Sequence, residues 1–110
     1  MAEIKSREEL VRLVWLAELR RQGHRQCFDS YENDKGGVCA LGLLREAAFP
    51  ERWGDRVAYD DVADVGMLAG LTEAQADDVA SRNDGIGRYQ GHQHTFAEIA
   101  DVVADWFPGK

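Results

Sequence analysis

Apolar positions recur along this chain at helical spacing, and no stretch sustains the alternation of a strand. Ser6 and Glu9 form a capping-box pair, in which each side chain can bond the other residue's unpaired backbone N–H. Leu10, Leu13, Val14 and Ala17 follow at i, i+3, i+4 and i+7. A first helix is expected over 7–22, ended by Gly23. Val11, Trp15 and Leu19 widen its apolar face, so it should be covered on two sides. Residues 24–37 mix aromatics with turn formers and read as a loop, with a short β-hairpin at most.

Val38 to Ala48 reads as a buried helix with Val38, Leu41, Leu44 and Ala48 on one face, closed by Pro50 and Gly54. Gly42 inside it costs roughly 1 kcal/mol relative to alanine, which suggests close approach by another backbone. Over 51–71 the apolar spacing fits a helix poorly and Gly66 and Gly70 interrupt it, leaving either a short helix or an irregular segment. Thr72 with Gln75, and Thr95 with Glu98, form two further capping boxes. They predict helices over 73–82 and 96–107. The first leaves through Asn83-Asp84-Gly85, residues that tolerate a left-handed backbone, and the second stops at Pro108.

This pattern predicts a mainly α protein, a single compact domain over 1–110 built of four to five short helices. The expected core is Leu10, Leu13, Val14, Leu41, Leu44, Ala48, Leu68, Leu71, Val79, Phe96, Ile99 and Val103. A chain of 110 residues is long enough to bury such a core without disulfides.

Charge narrows the function classes. The net charge is −7, and all of the excess lies in residues 51–110, with 12 acids against 5 bases. That balance opposes binding to nucleic acid or anionic lipid, and suits a basic protein partner. Arg20, Arg21 and Arg25 form the one basic cluster, read as the cationic end of a helix rather than a phosphate site. The longest apolar run, Val38 to Leu44, is far shorter than the about 20 residues that span a bilayer. The charged beginning does not resemble a secretory signal, so a cytoplasmic location with reduced thiols is expected.

Several residues invite a chemical reading. His24, Cys27, Cys39, His92 and His94 are zinc-ligand types, but the two cysteines stand 12 positions apart rather than as a tight Cys-x2-Cys pair. A packed thiol is the expected state of Cys39, although a helix N-terminus could activate it as a nucleophile if a histidine base lay beside it. Asp60, Asp61 and Asp64, with Asp77 and Asp78, could bind a divalent cation, yet such runs usually form a solvated face. No phosphate-binding glycine loop occurs, since Gly85, Gly87 and Gly91 lack its lysine. Trp15 and Trp106 fall on helix faces. Trp53, in a polar loop, is the candidate exposed anchor.

Cys39-Ala40-Leu41-Gly42, Asn83-Asp84-Gly85 and Thr95-Phe96-Ala97-Glu98-Ile99-Ala100 together resemble the motifs of a family of small uncharacterised proteins from tailed bacteriophages, prophages and their bacterial hosts. The resemblance spans most of the chain and implies no transferable activity, catalytic residue or cofactor. The chain departs from it where the family often pairs two cysteines, here Cys39 and Ala40, and at 86–94, which reads as an extra loop. The expected function is a non-enzymatic acidic interaction module, a phage or prophage accessory protein contacting a host protein. Its interaction surface would comprise Trp53, Asp60, Asp61, Asp64, Asp77 and Asp78, with no metal or cofactor. The alternatives are a small enzyme using a Cys/His or carboxylate metal site, and nucleic-acid binding through the arginine cluster.

Overall fold

Each described α-helix begins on a side chain that accepts one of the N–H groups its first turn leaves unpaired. The computed structural model describes residues 6–21, 26, 37–49 and 61–107. Ser6 opens α1 (Arg7–Arg20) by accepting from Glu9 N, and the Cys39 sulfur opens α2 (Ala40–Ala48) by accepting from Gly42 N. Asp61 opens α3 (Val62–Met67) by accepting from Ala63 N. Thr72 and Thr95 open α4 (Glu73–Asp84) and α5 (Phe96–Trp106), each through a complete reciprocal box with Gln75 or Glu98. A single 3-10 turn, Gly87–Tyr89, lies between α4 and α5. The protein is mostly helical, and no described helix is long and apolar enough to cross a membrane. Where the sequence left room for a hairpin before α2, the described residues hold an isolated parallel bridge from Gln26 to Val38.

α2 is the central element, touching α1, α3 and α4, while α5 packs against α1 and α4. Ala40 through Arg45 are all buried. Around them lie Trp15, Leu19, Val65, Ala69, Leu71, Val79, Phe96, Ile99, Ala100 and Val103. Of the expected core, Leu41, Leu44, Leu71, Val79, Phe96, Ile99 and Val103 are buried, and Ala48 and Leu68 are half-buried. The α1 members of that list are a correction. Leu10, Leu13 and Val14 are 50%, 46% and 49% exposed, and the buried face of α1 is Val11, Trp15 and Leu19. The helix is covered on one side, not two. The reason is the donor on Trp15: its indole can be buried only where an acceptor waits, and the Ala40 carbonyl meets it at 2.8 Å. That contact fixes the rotation of α1.

Two glycines shape the turns around α4. At Gly66 a Cβ would stand 2.5 Å from the Cβ of Ala76, so the hydrogen there lets α3 and α4 touch. Gly85, at φ +67°, is the left-handed residue that ends α4. Asn83 and Asp84 therefore belong to the last turn of the helix instead of its exit. Arg12, in the middle of α1, reaches the ends of α3 and α5: its guanidinium donates to the Ala69 carbonyl at 3.1 Å and stacks 3.8 Å above the Phe107 ring.

Candidate functional site

The first polar cluster is built on Asn83, which is 1% exposed at the end of α4. Its carbonyl oxygen accepts from the Ala40 backbone N–H at 3.1 Å and from the Gln26 side-chain amide at 2.9 Å, while its own amide donates to Asp84 at 2.9 Å. The Gln26 amide also donates to the His94 carbonyl at 2.8 Å. Asn83 and Gln26 together thus join the start of α2, the end of α4 and the segment entering α5. Reading Asn83 as a turn former missed this, because its partners lie far away in sequence.

Asp78 anchors the second cluster. Its carboxylate accepts from Arg82 Nε and from the Tyr89 hydroxyl, both at 2.6 Å. The Arg82 guanidinium stacks 4.4 Å above the Tyr89 ring. Partial burial pushes the Asp78 carboxyl upward, but the bonds from Arg82 and Tyr89, with the charges of Arg82 and Arg88, outweigh it and hold the group below the ordinary carboxylate value. The Tyr89 hydroxyl moves the opposite way, raised chiefly by its bond to that carboxylate. His94 lies edge-on to Tyr89 and His92, with Nε2 at 3.4 Å from Arg82 and a buried Nδ1 that meets no hydrogen-bond partner. Arginine only donates, so this contact calls on the lone pair of Nε2. The cluster borders a surface cleft of about 490 Å³ lined by Asp77, Ser81, Arg88 and Trp106 among others.

The structure places several of the candidate residues. Asp61 is occupied in capping α3, and Asp64 is exposed in its first turn. Asp77 is exposed on α4, whereas Asp78 is committed to two donors, unlike the solvated face expected of it. Trp53 and Asp60 lie outside the described residues, as do His24, Cys27 and Arg25. Among the described residues no three of His, Cys, Asp and Glu come together around a point where a metal ion could sit. Cys39 is buried with its sulfur engaged as a helix cap, an architectural use of the thiol. Arg20 lies in the last turn of α1 and pairs with Asp101 at 3.1 Å, and Arg21, at the C-cap, pairs with Glu18 at 3.3 Å.

What remains unspent is the outer face of α1. Leu10, Leu13, Val14 and Ala17 run along it as an exposed stripe about 10 Å long. Val14 continues into a groove of about 380 Å³ between α1 and α2, lined by Leu43, Ala47, Glu18 and Glu46. Its chemistry is an apolar floor with carboxylates beside it. The three arginines of α1 and the Arg21 at its C-cap all have other contacts: Arg7 over the Phe49 ring, Arg12 over Phe107, Arg20 on Asp101 and Arg21 on Glu18.

Fold and face together define a small helical protein whose first helix is apolar on both sides, one side buried and one open. Comparison with protein-family models, curated proteins and solved structures found no match.

Proposed function

We propose that this chain is a non-enzymatic protein-interaction module that docks a basic partner on the outer face of α1. The observation that carries the reading is the stripe of Leu10, Leu13 and Val14, large apolar side chains left about half exposed in a row on one helix. Isolated exposed leucines need no explanation; a run at helical spacing beside a groove is the geometry of a docking surface. The net charge of −7 would draw in a positively charged partner and speed its encounter. Exposed Asp64 and Asp77 add to that field from α3 and α4. In the setting suggested by the phage-like motifs, a cytoplasmic accessory protein would present this face to a host protein.

A photo-crosslinking side chain placed at Ala17, on the stripe, tests the reading against one placed at Ile86, an equally exposed apolar position elsewhere. In bacterial lysate at low salt, the expected result is a discrete adduct from position 17, lost on Leu13→Gln with Val14→Gln, and none from position 86. No adduct at position 17, or the same adducts at both, would overturn it.

A further inference from the structure

We infer that His94 is a proton-operated latch, which holds residues 86–94 against α4 while its ring is neutral and releases them once the ring takes up a proton. The backbone at the latch is fixed from two sides. The His94 N–H donates to the Arg82 carbonyl at 2.8 Å, and the His94 carbonyl accepts from the Gln26 amide at 2.8 Å. Just before it, a Cβ on Gly85 would stand 3.1 Å from the Gln93 backbone nitrogen, so the returning segment lies directly on the end of α4. The ring cannot be carried far from Arg82 without breaking these bonds.

Hydrogen bonding then selects the neutral ring. Nε2 stands 3.4 Å from Arg82 Nη1, which can only donate, so the single proton of the docked imidazole belongs on Nδ1. A second proton would turn Nε2 into a donor facing a donor, and the buried Nδ1 meets no acceptor that could compensate. Charge around the ring is even and does not decide the matter. From α4 the ring faces Arg82, already paired with Asp78 at 2.6 Å. From the 3-10 turn come Tyr89, edge-on, and Arg88, whose charge acts on Asp78. His92 lies edge-on in the same segment, and Glu98 in the first turn of α5 feels both imidazoles. Two carboxylates thus stand against two guanidiniums.

Once released, the ring meets water at both nitrogens and takes up a proton as an ordinary histidine does, near about pH 6.5. The proton binds the released form and not the docked one, so acid favours release and alkali favours docking. Release withdraws the Tyr89 hydroxyl from Asp78 and takes Arg88 and Tyr89 out of the cleft on α4. Mild acidification therefore opens that cleft.

Amide hydrogen exchange of the full chain, read by NMR and corrected for the pH dependence of free peptides, tests the latch. A group that stays neutral when docked and titrates near about pH 6.5 when released lowers protection by up to about tenfold between about pH 7.5 and about pH 5.5. That loss is expected at the amides of Gly91, His92 and His94, whose bonds close the segment, while Val103 in α5 keeps its protection. Glutamine at position 94 offers Arg82 an acceptor that does not titrate. Protection in His94→Gln should therefore be independent of pH, and His92→Gln should retain the drop. A readout on the parent needs no variant to fold: long-range proton–nitrogen spectra at about pH 7.5 should place the His94 proton on Nδ1. Constant protection in the parent, an equal loss throughout α5, a loss that survives His94→Gln, or a proton on Nε2 would each overturn the latch.

Discussion

The indole N–H of Trp15 donates to the carbonyl of Ala40 at 2.8 Å, joining the middle of α1 to the first residue of α2 with the whole ring buried. Trp15→Phe keeps an aromatic but loses the donor and part of the volume. The expected cost is about 2–3 kcal/mol, of which roughly 1 kcal/mol is the hydrogen bond and the rest is the cavity. Trp15→Ala should cost about 3–5 kcal/mol. Urea unfolding followed by far-UV circular dichroism measures both, and a Phe variant as stable as the parent would deny the lock.

The two faces of α1 should answer substitution differently. Leu13→Gln, on the open face, should change stability by no more than about 0.5 kcal/mol. Leu19→Ala, on the buried face, should cost about 2–5 kcal/mol. Equal losses at the two positions would place α1 at a different rotation.

Gly66 should reverse its preference with its neighbour. Alanine there gains up to about 1 kcal/mol of helix propensity, but its Cβ would stand 2.5 Å from Ala76 Cβ, an atom fixed to backbone that cannot swing aside. Gly66→Ala should therefore destabilise by about 1–3 kcal/mol. In an Ala76→Gly background the clash is gone and the same change should be neutral or stabilising, which a double-mutant cycle of unfolding free energies reads directly.

Removing the Asn83 side chain takes the acceptor from two N–H groups, that of Ala40 and one of the two on the Gln26 amide. Asn83→Ala should cost about 2–4 kcal/mol. Hydrogen exchange at the Ala40 amide should accelerate far beyond that of amides in α5. Uniform acceleration across the chain would instead mean that the residue serves general stability without local control.

Asp78 gives the fold an acid-sensitive contribution. Its folded carboxyl titrates below the ordinary value, so the unfolded chain takes up the proton more readily. The stabilisation is present above about pH 4 and is lost as pH falls through the depressed folded value. Urea midpoints of the parent and Asp78→Asn should differ most near neutral pH and converge in strong acid. A gap that widened on acidification would contradict the assignment.

The helices were legible because their starts are written in short-range chemistry: Ser6, Thr72 and Thr95 each cap the helix predicted to follow them. The rotation of α1 was not legible from periodicity, since Leu10, Leu13, Val14 and Ala17 on one side compete with Val11, Trp15 and Leu19 on the other. The signal that separates them is the indole N–H, which needs a buried acceptor that only tertiary structure supplies. Gly66 read as an interruption because its partner, Ala76, becomes visible only once α3 and α4 are laid together. The open face followed the same logic. A stripe taken as core is, once α1 is turned, an exposed apolar row, whereas Asp61 and Asp78 are occupied within the fold. The Asp78–Arg82 pair was readable in principle as an i, i+4 match of opposite charges.

The bonds that Asn83 makes span 57 positions to Gln26 and 43 to Ala40. Chain segments of that length meet late, after short-range helices and helix pairs have formed, because their closure entropy is not repaid until the intervening structure exists. A junction completed late lowers the escape rate from the native basin while scarcely altering the speed of reaching it. Asn83 is thus placed to act as a kinetic clasp, governing how long the assembled protein lasts more than how quickly it assembles.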